Sequence, residues 1–198
     1  MRLTSKERIY KIAMTGVLSA LATALMFLSF SVPFVPSFLK MDLSEMPALI
    51  AAFALGPVSG VVVCLIKNVI NAFFTTTGCV GEFANFLLGV AFVLPAGLFY
   101  KFGKSRKSAL IGSFSGLVLM TLLSLPINYF ITYPIYAKIM PIEVIVGMYK
   151  SIFPEVDGLV SCLIIFNMPF TFVRGFIDSI ITFLIYKRVS WIFKLKKN

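Results

Sequence analysis

Thirteen of the eighteen Lys and Arg residues fall in three clusters, and long apolar stretches separate them. The clusters are the N-terminus (Arg2, Lys6, Arg8, Lys11), a central segment (Lys101, Lys104, Arg106, Lys107) and the C-terminal tail (Lys187, Arg188, Lys194, Lys196, Lys197). Six of the eight acidic residues (Asp42, Glu45, Glu82, Glu143, Glu155, Asp157) lie between the clusters in segments that would face the other side, and a seventh, Asp178, falls within the last apolar stretch. Short cytoplasmic loops of membrane proteins retain Lys and Arg, so sorting of this kind reports topology. The pattern predicts a multi-pass protein of the bacterial cytoplasmic membrane, with both termini in the cytoplasm.

Composition narrows the class further. Apolar residues make up 59% of the 198 and charged residues 13%, against about a quarter charged in soluble domains. One all-α integral membrane domain over residues 1–198 accounts for the chain. A net charge of +10 would suit nucleic acid, but these cations stand at membrane boundaries, where the bilayer is the simpler partner. Histidine is absent, which removes the commonest metal ligand and the commonest general base. Cys64, Cys79 and Cys162 are far apart, without CxxC spacing, and read as small apolar fillers. No metal, cofactor or catalytic constellation is expected, so the chain reads as a non-enzyme. The stretch Gly97 to Ser105 imitates a phosphate loop, but its glycines are misspaced and it ends a helix instead of following a strand.

A helix needs roughly 20 apolar residues to cross the hydrocarbon. Six are predicted, at about 9–31, 46–56, 58–74, 82–102, 107–131 and 158–187. Pro33 and Pro36 end the first. Gly56-Pro57 splits the stretch after it into two short helices that meet near the cytoplasmic side. Thr75 to Gly78 form a polar turn, and 132–157 reads as an external loop. Six crossings return the chain to its starting side, in agreement with the charge sorting.

Polar groups at membrane depth face a bundle interior or a cavity. Lys67 lies well inside the third helix, with Asn68 and Asn71 nearby. Arg174 and Asp178, four residues apart, share a face of the sixth helix; they either neutralise each other or line a site. Asn167, Thr171 and Arg174 make a polar stripe, and Asn128, Glu82 and Asn85 fall at similar depth. Such groups suit a ligand rich in hydroxyls, carbonyls and ring nitrogens. Gly16, Ala20 and Ala24 form a small-residue stripe on the first helix, and Gly112 and Gly116 a GxxxG on the fifth. Each permits close helix contact, within the bundle or with a partner.

The segments LKMDLSEMPALIAAFALGPVSGVVVCLIKNVINAFF (39–74), GEFANFLLG (81–89), NYFITYPIY (128–136) and MPFTFVRG (168–175) together resemble the riboflavin-specific S components of energy-coupling factor (ECF) transporters. The resemblance spans nearly the whole chain in order. It implies a six-helix S-component bundle that binds riboflavin, with a capping loop after the first helix. It also implies partners: one transmembrane T subunit, docked on Gly16, Ala20 and Ala24, and two ATP-binding subunits. The capping loop corresponds to Leu39 to Pro47, with Lys40 and Asp42 at its polar centre. Asn128 matches a ligand-contacting asparagine of the family. Thr171 and Arg174 stand where the family has Asn and Lys, which leaves FMN or a flavin analogue open, since Arg pairs well with phosphate. Glu82, Asn85 and Asn167 complete the expected substrate-binding set. An S component for another vitamin and a stand-alone secondary transporter are the alternatives.

Overall fold

The computed structural model describes residues 4–36, 38–75, 78–138 and 140–189. Arg2, Thr76, Thr77 and the tail lysines Lys194, Lys196 and Lys197 lie outside the described residues. Helix α1, Ser5–Phe27, starts earlier than expected because Thr4 and Glu7 form a capping box. Glu7 accepts from the Thr4 amide, and the Glu7 amide donates to the Thr4 hydroxyl. Its inner face buries Thr15, Leu18, Ser19, Ala22 and Thr23. The three hydroxyls donate to carbonyls four residues back, so a polar face is satisfied within its own helix.

Past α1 the chain makes a short antiparallel ribbon, with Phe30–Ser31 (β1) opposite Lys40–Met41 (β2). Helix α2, Glu45–Ala54, is buried along almost its whole length and packs against α1, α3 (Pro57–Ala72), α4 (Val80–Gly103) and α9 (Met168–Val189). The break between α2 and α3 falls where the sequence places it. Gly56 has φ +105° and Pro57 opens α3, a left-handed turn that only glycine takes without strain. The turn lies beside Lys11: a Cβ on Gly56 would sit 3.9 Å from its Nζ. The two short helices therefore meet at the end of the bundle where α1 begins.

Helices α4 and α5 (Arg106–Ile127) form a tight antiparallel pair. A Cβ on Gly112 would stand 2.8 Å from Phe99 Cβ and 2.9 Å from the Ala96 carbonyl, and Gly116 is pressed against the Phe92 backbone. The GxxxG thus serves packing within the bundle. At the same end, Phe53, Tyr100, Phe183 and Tyr186 join α2, α4 and α9 through ring contacts.

The expected loop 132–157 is instead partly helical. From α5 the chain runs through a π-helical segment, Asn128–Thr132, into α6, Tyr133–Tyr136, and α7, Ile142–Lys150, follows. The last span starts as α8, Leu159–Cys162, and passes through a second π-helical segment, Leu163–Asn167, into α9. Each π segment ends two residues before a proline, Pro134 or Pro169. Proline cannot donate to the carbonyl four residues back, and a widened turn carries the helix past it.

Among the described residues, four helices are long and apolar enough to cross a membrane: Ser5–Phe27, Val80–Gly103, Arg106–Tyr136 and Leu159–Tyr186. The 10-residue α2 and the 16-residue α3 are shorter. The molecule is a nearly all-helical membrane bundle.

Candidate functional site

The buried charges converge at the end of the bundle opposite the aromatic contacts. Lys67, on α3 and 0% exposed, donates to Glu45 Oε1 and to Ser44 Oγ, both at 2.6 Å. Cys64 Sγ lies 3.4 Å from the other Glu45 oxygen. Glu45 fits because Gly89 faces it; a Cβ there would come within 2.9 Å of Oε1. Position 45 opens α2, so its carboxylate also meets the positive end of the helix.

Arg174 reaches in from α9. Its Nη2 donates to both carboxylate oxygens of Asp42, at 3.1 and 3.0 Å, and its Nη1 donates to Asn85 Oδ1 at 3.0 Å. Asn85 Nδ2 continues to Asn68 Oδ1, and Asn68 Nδ2 to the Cys64 carbonyl. One hydrogen-bonded chain therefore joins the segment after the ribbon, α9, α4 and α3. Burial alone raises the Asp42 pKa, but Arg174, Lys67 and hydrogen bonds from Ser44 outweigh it and hold the carboxyl below its usual value. Asp42 is consequently a persistent anion, fixed to Arg174 as a latch.

Beside the latch is a narrow cleft of about 30 Å³, lined by Glu45, Asn85, Phe170, Thr171, Arg174 and Asp178 among others. That is room for a water or two. Arg174 does not pair with Asp178, one turn along, as the spacing allowed. Both carboxyl oxygens of Asp178 and the Arg174 Nε are buried with no hydrogen-bond partner.

Of the residues singled out from the sequence, Asp42, Asn85, Thr171 and Arg174 come together here. The others lie apart. Lys40 is exposed on β2. Glu82 accepts from Thr75 Oγ1 at 2.9 Å. Asn128 turns back on its own helix, donating to the Ser124 carbonyl at 2.7 Å. Asn167 closes a ring with two tyrosines: it accepts from Tyr149 (2.7 Å) and donates to Tyr133 (3.3 Å), whose hydroxyl lies 2.6 Å from that of Tyr149. Burial holds the Tyr149 phenol well above its usual pKa, so it remains a donor and pins α7 to the second π segment. Glu45 and Ser44 were not anticipated, although a lysine at membrane depth demands a counter-ion. Gly16, Ala20 and Ala24 are exposed on the outer face of α1, and Gly16 has nothing within 4 Å of a Cβ position.

The sequence pattern of the family described as ECF transporter, substrate-specific component, matches residues 10–186. The riboflavin transporter RibU of Staphylococcus aureus (strain TCH60) is 36% identical over 175 residues, which are 88% of this chain and 87% of that protein. The riboflavin transporter FmnP of Bacillus subtilis (strain 168) is 29% identical over 189 residues, 93% of this chain and 95% of the relative. A solved S component of a bacterial ECF transporter superposes with a TM-score of 0.75 at 34% identity, covering 95% of this chain and 99% of that one.

Proposed function

The chain belongs to the substrate-specific components of ECF transporters, and from that premise we propose that it binds riboflavin at the Arg174 cleft and delivers it to an energy-coupling module. The observation that carries this reading is the Arg174 guanidinium itself. It is a fork of donors inside a membrane bundle, 16% exposed, held at the mouth of a cleft by an aspartate on a separate segment. A carbonyl-rich ligand offers the acceptors such a fork takes. With the cleft as narrow as it is, entry requires the segment carrying Asp42 to withdraw, and Arg174 then exchanges a carboxylate for the ligand. Asn85 and Thr171 supply further polar contacts. Lys40, Glu82, Asn128 and Asn167 act at the edge of the site or hold the elements around it.

All six bundle segments cross the membrane in this reading, with α2 and α3 as short helices packed among neighbours. Both termini face the cytoplasm together with the Gly56–Pro57 turn and the Lys101 to Lys107 segment. The whole chain is one substrate-binding domain and breaks no bonds; ATP hydrolysis belongs to two partner subunits. The exposed stripe of Gly16, Ala20 and Ala24 is where the T subunit docks, since small residues admit a close helix approach.

The test is a titration of the chain, purified alone in detergent, with riboflavin, followed by quenching of flavin fluorescence. One-to-one quenching is expected, and riboflavin uptake by cells or vesicles is expected only when the T and ATP-binding subunits are present. A folded sample that does not quench riboflavin contradicts the assignment.

A further inference from the structure

Two unsatisfied groups of opposite kind face the same cleft. The Arg174 Nε–H is a donor without an acceptor, and the Asp178 carboxyl offers acceptors without a donor. Both residues line the cleft, and they stand one helical turn apart on α9. Asp178 is 0% exposed. A buried polar group left unpaired is destabilising, and such groups are rare enough that each calls for a reason.

The surrounding groups do not supply one. Glu45 is engaged by Lys67 and Cys64, and Asp42 by Arg174 and the Ser44 amide. Ser44 Oγ accepts from Lys67. Asn85 and Asn68 bond each other. The donors around Asp42 and Glu45 are thus committed, the remaining carboxylates can only repel Asp178, and the unpartnered Arg174 Nε–H and the Ser179 and Thr182 hydroxyls of the same helix make no hydrogen bond to it. A ligand entering the cleft can supply the donor that Asp178 lacks among the described residues.

We infer that Asp178 is a specificity-determining residue that accepts a hydrogen bond from the ligand, and that with Arg174 it reads an edge carrying a carbonyl beside an N–H. This rests on the riboflavin reading. The imide edge of the isoalloxazine ring has that pattern, with N3–H between two carbonyls: Arg174 donates to a carbonyl and Asp178 accepts from N3–H. Ionised or neutral, the carboxyl keeps an acceptor oxygen. Sites that hydrogen-bond a ligand N–H reject analogues lacking it, because the site's own buried group is then left unpaired.

Three ligands decide it: riboflavin, N3-methylriboflavin, which lacks the imide donor, and lumiflavin, which keeps the imide but lacks the ribityl chain. They are titrated into the wild-type chain, Asp178→Ala and Asp178→Asn. Wild type is expected to bind N3-methylriboflavin about 100-fold more weakly than riboflavin. Asp178→Ala loses riboflavin and lumiflavin affinity by the same factor, so its preference for riboflavin over the N3-methyl analogue shrinks at least tenfold. Asp178→Asn keeps an acceptor and falls between; if Asp178→Ala does not fold, Asp178→Asn carries the same ratio test. Equal wild-type binding of riboflavin and N3-methylriboflavin overturns the inference, and so does a ratio unchanged in the variants. A loss confined to riboflavin, with lumiflavin spared, moves the contact to the ribityl chain and also overturns it. If wild type binds none of the three flavins, the riboflavin assignment itself has failed.

Discussion

Near Lys11, Tyr100 and Tyr186 the helices meet through glycine and aromatic rings; at the opposite end they meet through charges. The first end relies on close approach: Gly97 against Pro57, Gly112 against Ala96 and Phe99, and Phe53 among three rings. The second brings Asp42, Glu45, Lys67 and Arg174 into one hydrogen-bonded cluster and adds two π-helical segments. Packing of apolar groups is tolerant of what surrounds it, whereas a buried charge is stable only with its own partner. On the proposed reading, the first end is scaffold and the second is where the ligand is recognised. The difference also implies that mutations at the two ends fail in different ways.

The largest effect is expected from Lys67→Met, which leaves the buried Glu45 carboxylate only the Arg174 guanidinium, 4.0 Å away. Loss of one partner of such a pair costs about 3–5 kcal/mol, read as a lowered midpoint in thermal unfolding in detergent. Adding Glu45→Gln should recover much of that loss, and failure to recover would mean the pair is not coupled as described. Next comes Gly112→Val at the scaffold end, where overpacking costs about 1–3 kcal/mol. Stability should fall there while the riboflavin affinity of the folded fraction stays near wild type. Gly16→Leu should move the melting midpoint least, within about 0.5 kcal/mol, because its Cβ position is open. The same change should nonetheless weaken co-purification with the T subunit; unimpaired assembly would place the docking face elsewhere.

The smallest effect concerns pH. The Asp42 carboxyl is held below its ordinary value in the folded chain, so the latch contributes fully above about pH 4, the unfolded value. That contribution disappears as pH falls through the lower folded value. Hydrogen exchange of the ribbon amides should therefore show constant protection between pH 5 and 8 on the order of the neutral value, with release only under stronger acid. Release near neutral pH would contradict the ion pair.

Much of the scaffold was legible because its signals are local. The basic clusters, the Gly56-Pro57 break and the GxxxG of α5 all act within a few residues of themselves. The ends of the spans were less so. Pro134 falls in the expected loop 132–157, yet a π-helical turn carries the helix past it, and a second π segment precedes Pro169 inside the expected span 158–187. Helix α7, read as loop between Pro141 and Pro154, becomes helical by burying Ile145 and Tyr149 against distant parts of the chain. The site shows the same limit. Arg174 was conspicuous as a charge at membrane depth, but its nearest acid in sequence is Asp178, while its partner in space is Asp42, 132 residues away. Glu45 passed as part of a polar loop because nothing local ties it to Lys67. The asparagines diverge for a related reason: an Asn in an apolar helix must be satisfied, and carbonyls or tyrosines can do so as well as a ligand.

The claim that recognition resides in the charged end is tested most directly by riboflavin titration of Arg174→Ala beside Gly112→Val, each shown to be folded. A hydrogen bond to a charged group contributes about 1.5–3 kcal/mol. Arg174→Ala is therefore expected to lose at least about tenfold in affinity, while Gly112→Val binds as wild type and melts earlier. Wild-type affinity in Arg174→Ala, or loss of binding in a folded Gly112→Val alone, would contradict the account.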